Sequence, residues 1–132
     1  MPLKVESMKE RTLVAIGALN MFIAVGCGAF GAHGLKKMIS EEMLAIWHTA
    51  VTYQFMHALG MIAVALLMPR MGGAALRWAG QLMLAGIVVF SGSLYLLALT
   101  GTRILGAITP MGGVAFLAAW LLVAWAAFKS AK

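Results

Sequence analysis

Acidic side chains are almost absent from this sequence. It contains no aspartate, and its four glutamates lie at positions 6, 10, 41 and 42, outside the long apolar stretches. Carboxylates within apolar helices are the usual groups for proton relay and cation coordination. The apolar stretches therefore carry neither function through a carboxylate, and acid–base catalysis by paired carboxylates is excluded there.

Charged residues in general and cysteines are also scarce. Charged residues make up 11% of the 132 residues and hydrophobic residues 63%, whereas ordinary globular chains have roughly 25% charged residues. The single cysteine, Cys27, excludes an intramolecular disulfide. A soluble domain of this size needs polar side chains to cover its large surface. Because these are missing, we predict that lipid surrounds most of the chain and that residues 1–132 form one membrane domain.

The formal net charge of +6 does not indicate a nucleic-acid partner. The basic residues form neither a stripe nor a patch interleaved with aromatic residues, and they lie between the apolar runs. In membrane proteins this arrangement sets the orientation, because Lys and Arg are enriched on the cytoplasmic side. One side would hold seven basic residues (Lys4, Lys9, Arg11, Arg70, Arg77, Lys129 and Lys132) and the other three (Lys36, Lys37 and Arg103). We therefore predict that both termini are cytoplasmic.

Four apolar stretches are long enough to cross a bilayer as helices. The run from Leu13 to Phe30 would be about 27 Å long as a helix, close to the ~30 Å thickness of the hydrocarbon region. We predict an all-α bundle of four transmembrane helices, with spans at about 13–31, 47–68, 78–99 and 109–128. Residues 33–46 are predicted to form an interfacial segment.

Several residues predict where these helices begin and end. Ser40 is a candidate N-cap for a helix that begins at Glu41, where the helix dipole favours acidic residues. Pro69 is predicted to stop this helix after Met68, and the turn at residues 100–103 to end the third span. Thr109 is a candidate N-cap, with Pro110 at the first helical position. Residues 104–108 would be either a short helical lead-in or an irregular apolar loop.

Glycines in the first span predict close helix packing. Small residues in membrane helices allow another backbone to approach. The candidate packing residues are Gly17, Gly26, Gly28 and Gly31. They could serve a contact within the bundle or between two copies of the chain.

The second span carries an unusual number of polar residues. Tyr53 and His57 lie one turn apart on the same face, and His57 falls near the predicted midplane of the bilayer. A polar side chain at that depth must find a partner within the bundle. We predict a polar cluster in the outer half of the bundle, formed by Tyr53, Gln54, His57, Ser91, Ser93 and Thr109. Two interpretations remain open: interhelical hydrogen bonds that hold the bundle together, or a functional pocket.

The start of the fourth helix, at Pro110, Gly112 and Gly113, is a second candidate site. A helix that begins inside the protein can direct its free N–H groups at an anion, as in transporters. The alternative is a tight turn packed against a neighbouring helix.

Neither a metal site nor an enzyme is expected. His48 and His57 are separated by about 13 Å along one helix, too far to share a metal ion. A pair formed by His57 with Ser91 or Ser93 would lack an acid to orient the histidine. We expect no metal, no cofactor and no catalytic residues.

Four groups of residues resemble a known family. They are the segment Gly28–Leu35; the residues Trp47, Thr49–Val51, Tyr53, Gln54 and His57–Leu59; the segments Phe90–Tyr95 and Thr100–Gly101; and the segment Leu105–Gly113. Together they resemble the transmembrane protein 256 family, also described as domain of unknown function 423. The resemblance implies a small multi-pass protein of the bacterial inner membrane, with no assigned activity and no catalytic residues to transfer.

Two functions are therefore considered. The chain would bind or conduct a lipid or small molecule through the outer-half polar pocket, or it would be a structural or assembly subunit whose polar residues only hold helices together. Membrane lipids and a second copy of the chain are the expected partners. Nucleic acid is not expected.

Overall fold

The computed structural model describes residues 2–71 and 73–130, with side chains from residue 9 onward. Every regular element in these residues is helical. The long helices are α1 (Pro2–Ala32), α2 (Glu41–Met71), α3 (Gly73–Gly86), α4 (Gly92–Thr100) and α5 (Thr109–Ser130). A π-helical segment, Ile87–Ser91, joins α3 to α4, so that residues 73–100 form one continuous span. Short 3-10 turns occupy Leu35–Lys37 and Arg103–Ala107.

Four stretches are long and apolar enough to cross a membrane. They are Lys9–Ala32, Glu41–Met71, Gly73–Thr100 and Arg103–Ser130. This confirms the predicted all-α class and the number of membrane-capable helices. Several helices extend beyond the predicted spans, which is expected where a helix continues past the hydrocarbon into the headgroup region.

The predicted start of α2 agrees with the structure, and its predicted end does not. The helix begins at Glu41, and the Ser40 Oγ accepts a hydrogen bond from the Met43 N–H at 3.2 Å. Pro69 lies inside the helix, which continues to Met71. A proline so close to a helix end removes only one backbone donor and therefore does not stop the helix. The chain turns at Gly73, whose φ of +82° favours glycine.

The start of α5 also differs from the predicted capped helix. Of the two alternatives for residues 104–108, the helical lead-in is observed, because the 3-10 turn Arg103–Ala107 runs almost directly into α5. The Thr109 Oγ1 donates a hydrogen bond to the Leu105 carbonyl at 3.3 Å, whereas an N-cap side chain would accept from an N–H group in the first turn of α5. Thr109 is therefore the first residue of α5 and does not act as its N-cap. The predicted turn at the end of α4 is present, with Gly101 at a φ of +72°.

Helix α1 packs along α2, α3 packs against α5, and α2 contacts both α3 and α4. The largest apolar core includes Leu13, Met61, Met83 and Phe116. A smaller core at the other end of the bundle contains Leu35, Trp47 and Ala98. Leu35, only 1% exposed, anchors the 3-10 turn after α1 to the helices beneath it.

Three of the four predicted packing glycines lie against α2. A Cβ atom at Gly17 would lie 2.9 Å from the Ala58 carbonyl oxygen, one at Gly31 would lie 2.7 Å from the Trp47 ring, and one at Gly28 would lie 3.4 Å from Val51. Gly26 does not pack within the bundle, because a Cβ there would meet nothing within 4 Å, and its alternative role in a contact between two copies stays a prediction. It is nine residues from Gly17, which at about 3.6 residues per turn places it on the opposite face of α1.

Candidate functional site

His57 lies at the centre of the structure and is only 2% exposed. Its Nε2 accepts a hydrogen bond from the Trp120 indole N–H at 3.0 Å. Its Nδ1 lies 2.8 Å from the Tyr53 carbonyl oxygen. Since the indole N–H only donates and a carbonyl only accepts, Nδ1 must carry the hydrogen and Nε2 the lone pair. His57 is therefore a neutral imidazole of defined tautomer, with both nitrogens engaged.

One face of the His57 ring is covered as well. The Phe116 ring lies nearly parallel to it, with centroids 3.5 Å apart and an angle of 8°. Tyr53 supplies its carbonyl and a ring whose centroid lies 6.1 Å from that of His57, while the Tyr53 side chain remains 36% exposed. Tyr53 thus borders the His57 site through its ring and its backbone carbonyl.

Gln54 belongs to a separate hydrogen-bonded group that joins three helices. Its Nε2 donates to the Asn20 Oδ1 in α1 at 3.0 Å, and its Oε1 accepts from the Tyr95 hydroxyl in α4 at 2.7 Å. The Asn20 amide group in turn donates to the Ile16 carbonyl at 3.0 Å. Both ends of the buried Gln54 amide are therefore satisfied by other helices.

The two serines of the third span form further, independent contacts. The Ser91 Oγ donates to the Ala50 carbonyl of α2 at 2.8 Å. The Ser93 and Thr109 hydroxyl oxygens lie 2.6 Å apart and link the third span to the start of α5. Ser93 is also within 2.9 Å of the Phe90 carbonyl. The serines thus tie the third span to both of its neighbours.

The six predicted cluster residues therefore do not surround one pocket. They divide into four groups, centred on His57, Gln54, Ser91 and the Ser93–Thr109 pair. Among the described residues, every buried side-chain nitrogen and oxygen atom has a hydrogen-bond partner. Five grooves on the described part of the structure are lined by other residues.

The predicted cluster lacked three residues of these groups, Trp120, Tyr95 and Asn20. Tryptophan in a membrane helix is usually assigned to the interface, so Trp120 gave no signal of a partner for His57. Asn20 lies in the first span, outside the predicted cluster. Its position as a polar residue within an apolar run was the available signal that it needs an interhelical partner.

The glycines after Pro110 serve close packing. A Cβ atom at Gly112 would overlap the Phe90 backbone, so α5 contacts the π-helical segment directly at this point. A Cβ at Gly113 would lie 3.9 Å from the Phe90 ring. The Met111 N–H donates to the Ile108 carbonyl at 3.0 Å and is not directed at a ligand. The structure thus favours the packed turn over the anion site for Pro110, Gly112 and Gly113.

The π-helical segment follows from the same close contact. A π turn commonly marks an inserted residue that shifts the register of a helix. Here it places Phe90 against α5 and directs Ser91 toward α2. Gly86, the residue before the π-helical segment, packs against the Phe116 ring, and a Cβ atom there would overlap the ring. The π-helical segment therefore allows the third span to contact both α5 and α2.

Four membrane-capable helices with mutually satisfied polar groups define a small, multi-pass integral membrane protein.

The model of the family described as "Protein of unknown function (DUF423)" matches residues 27–113. UPF0382 membrane protein YwdK of Bacillus subtilis is 51% identical over 120 residues, which is 90% of this chain and 98% of that protein. A UPF0382 membrane protein of Staphylococcus epidermidis is 50% identical over 121 residues, covering 92% and 98%. The chain belongs to this family, as the sequence motifs predicted. No solved structure shows a significant match to it.

Proposed function

We propose that the protein is a structural or assembly subunit of the membrane, whose polar residues hold its own helices together and whose apolar outer faces contact other membrane components. The hydrogen bonding around His57 and Gln54 carries this proposal. In a ligand pocket, polar groups point into free space and await a partner. Here the ring nitrogens of His57 and both ends of the Gln54 amide are already used by the bundle.

The alternative, binding or conduction of a lipid or small molecule through an outer-half pocket, has less support. A permeating solute would have to replace the hydrogen bonds of Gln54 or His57, and each such interhelical bond contributes roughly 0.6–2 kcal/mol in membrane bundles. An enzymatic function has less support still. The lone pair of His57 faces Trp120, and its Nδ1 bonds to the Tyr53 carbonyl, so no carboxylate orients the ring.

The first helix offers the most surface for assembly. In the most apolar part of this helix 17% of the residues are buried in the bundle, against 22% for the fourth span and 44% for α2 and for the third span. Phe22 and Val25 are 77% and 58% exposed on this helix. Gly26, which has open space around it, lies on the same outer side. A second copy of the chain could approach α1 closely there.

We place the protein in the bacterial cytoplasmic membrane with both termini inside. The excess of lysine and arginine on the side of the termini supports this orientation. The short connections of the described structure also fit an up-down-up-down bundle.

Native mass spectrometry of the full chain, extracted from its own membrane in a mild detergent, tests the proposal. We expect a reproducible assembly of defined stoichiometry, with itself or with another membrane protein. A strictly monomeric chain would contradict the proposal. A small molecule that copurifies, and is lost in a folded His57→Ala variant but retained in Thr52→Ala, would contradict it as well. Thr52 is the matched control because it is exposed and its hydroxyl bonds within its own helix.

A further inference from the structure

A groove between α1 and α3 lies outside the hydrogen-bonded groups described above. Its volume is about 550 Å³. Its polar lining comes from Lys9, Thr12, Arg77 and Gln81, and its apolar lining includes Leu13 and Leu84. Leu13 packs against Gly80, where a Cβ atom would lie 2.8 Å from the Leu13 side chain. The two helices are thus in direct contact at the floor of the groove.

The polar and apolar linings lie at different depths. Helices α1 and α3 are separated by one span, α2, and therefore enter the membrane from the same side. Lys9 and Thr12 precede Leu13 and Ile16 on α1, just as Arg77 and Gln81 precede Leu84 on α3. The groove is therefore polar near the membrane surface and apolar deeper in the hydrocarbon. A glycerophospholipid has the same order, with a phosphate above its acyl chains.

The charge of the groove favours anionic lipids. Its described lining residues include two cations and no carboxylate. Of the two glutamates of α1, Glu10 lines a different groove beside Ala65 and Leu66 of α2, and the side chain of Glu6 is outside the described part of the structure. The guanidinium of Arg77 has five N–H donors and can serve a protein partner and a phosphate together. Basic grooves between membrane helices at the cytoplasmic side are suited to anionic headgroups.

We propose that this groove binds one anionic phospholipid from the leaflet at the termini side of the bundle. Its phosphate lies between Lys9 and Arg77, with the Gln81 amide as a further hydrogen-bond donor. One acyl chain covers Leu13, Ile16 and Leu84. The inference does not depend on the assembly function proposed above, because Phe22 and Val25 of the assembly surface lie nearer the other end of α1 and on a different face from the groove.

The test uses the full chain in nanodiscs that contain equal amounts of phosphatidylglycerol and phosphatidylcholine. After transfer to detergent, native mass spectrometry counts the lipids that remain bound. We expect the wild type to retain one phosphatidylglycerol in preference to phosphatidylcholine, and the Lys9→Gln/Arg77→Gln variant to lose this preference at least tenfold. The Lys36→Gln/Lys37→Gln variant removes the same charge on the opposite side and should behave as the wild type.

Two further arms keep the test decisive. Leu84→Trp fills the apolar end of the groove without altering its charge and should also reduce retention, with unchanged circular dichroism as the check on folding. Inorganic phosphate should not displace the lipid, since it lacks the acyl chain. The proposal fails if the Lys9/Arg77 variant retains phosphatidylglycerol as the wild type does, if phosphatidylcholine is retained equally, or if inorganic phosphate competes.

Discussion

The Trp120 indole N–H donates to the Nε2 of His57 across 3.0 Å and thereby joins α5 to the most polar part of α2. Both groups lie within membrane-capable spans, where water is not available as a substitute partner. This one bond defines the tautomer of His57 and ties the last helix to the centre of the bundle.

Replacement of Trp120 by phenylalanine should destabilise the protein. The variant keeps an aromatic ring but leaves the Nε2 of His57 without a donor, and a buried unsatisfied group costs about 1–3 kcal/mol. Unfolding by a denaturing detergent, followed by circular dichroism, measures the change. Trp125→Phe is the control, since Trp125 is 54% exposed. Equal stabilities of the two variants would show that the His57–Trp120 bond is unimportant.

The tautomer of His57 can be observed directly. In ¹⁵N NMR of histidine-labelled protein, the signal of His57 should show a protonated Nδ1 and an unprotonated Nε2, because Nε2 accepts the hydrogen bond of the Trp120 indole N–H. In Trp120→Phe the Tyr53 carbonyl still accepts from Nδ1–H, so we expect the same tautomer, with the Nε2 resonance shifted by the loss of its donor. A dominant Nε2–H form in the wild type would refute the assignment.

The Gln54–Tyr95 bond should show energetic coupling between α2 and α4. The single variants Gln54→Ala and Tyr95→Phe and the double variant form a thermodynamic cycle. We expect a coupling of about 0.6–2 kcal/mol, in the range of interhelical hydrogen bonds in membranes. The Thr52→Ala/Tyr95→Phe cycle is the control and should give none, because the Thr52 hydroxyl bonds to the His48 carbonyl of its own helix. Additive effects in both cycles would contradict the prediction.

Alanine substitutions at two glycines should differ in their effect on the stability of the bundle. Gly112→Ala places a methyl group against the Phe90 backbone and should destabilise the bundle by about 1–3 kcal/mol, as overpacking does. Gly26→Ala meets nothing within 4 Å in the bundle and should leave the monomer's stability unchanged or slightly higher. Unfolding measurements under dilute, monomeric conditions compare the two. If Gly26→Ala lowers the stability as much as Gly112→Ala, the packing described for α1 is wrong.

The orientation predicted from the basic residues can be tested with cysteines in a Cys27→Ser background. Lys36→Cys, on the exposed turn after α1, should react with a membrane-impermeant thiol reagent in intact cells. Ser130→Cys, at the end of α5, should react only after permeabilisation. Reaction of Ser130→Cys alone in intact cells would reverse the assignment.

Much of the fold could be predicted because the relevant signals are local. The start of α2 at Glu41 follows from the Ser40 side chain and two acidic residues in the first turn. The turn after α4 follows from Gly101, which adopts a positive φ. Pro69 misled the prediction, because the effect of a proline depends on how much helix remains after it.

The candidate site was predicted only in part. The sequence identified Gln54 and His57 as buried polar residues, because neither can face lipid at that depth. It did not show that they belong to different groups, with Asn20 and Tyr95 around Gln54 and Trp120 beside His57. Periodicity gives the face of one helix on which a residue lies. The neighbour it meets depends on the tilt and rotation of two helices.

By itself, the sequence determined that this chain resides in lipid, that it forms four apolar helices and that Gln54 and His57 face inward. These properties follow from the transfer of each side chain and each backbone group between water and hydrocarbon, which depends on residue type and local periodicity alone. The tertiary structure decided which polar groups pair and which glycines are covered. It did so because hydrogen bonds and close packing require atoms of separate helices to meet within a few ångströms, as those of His57 and Trp120 do.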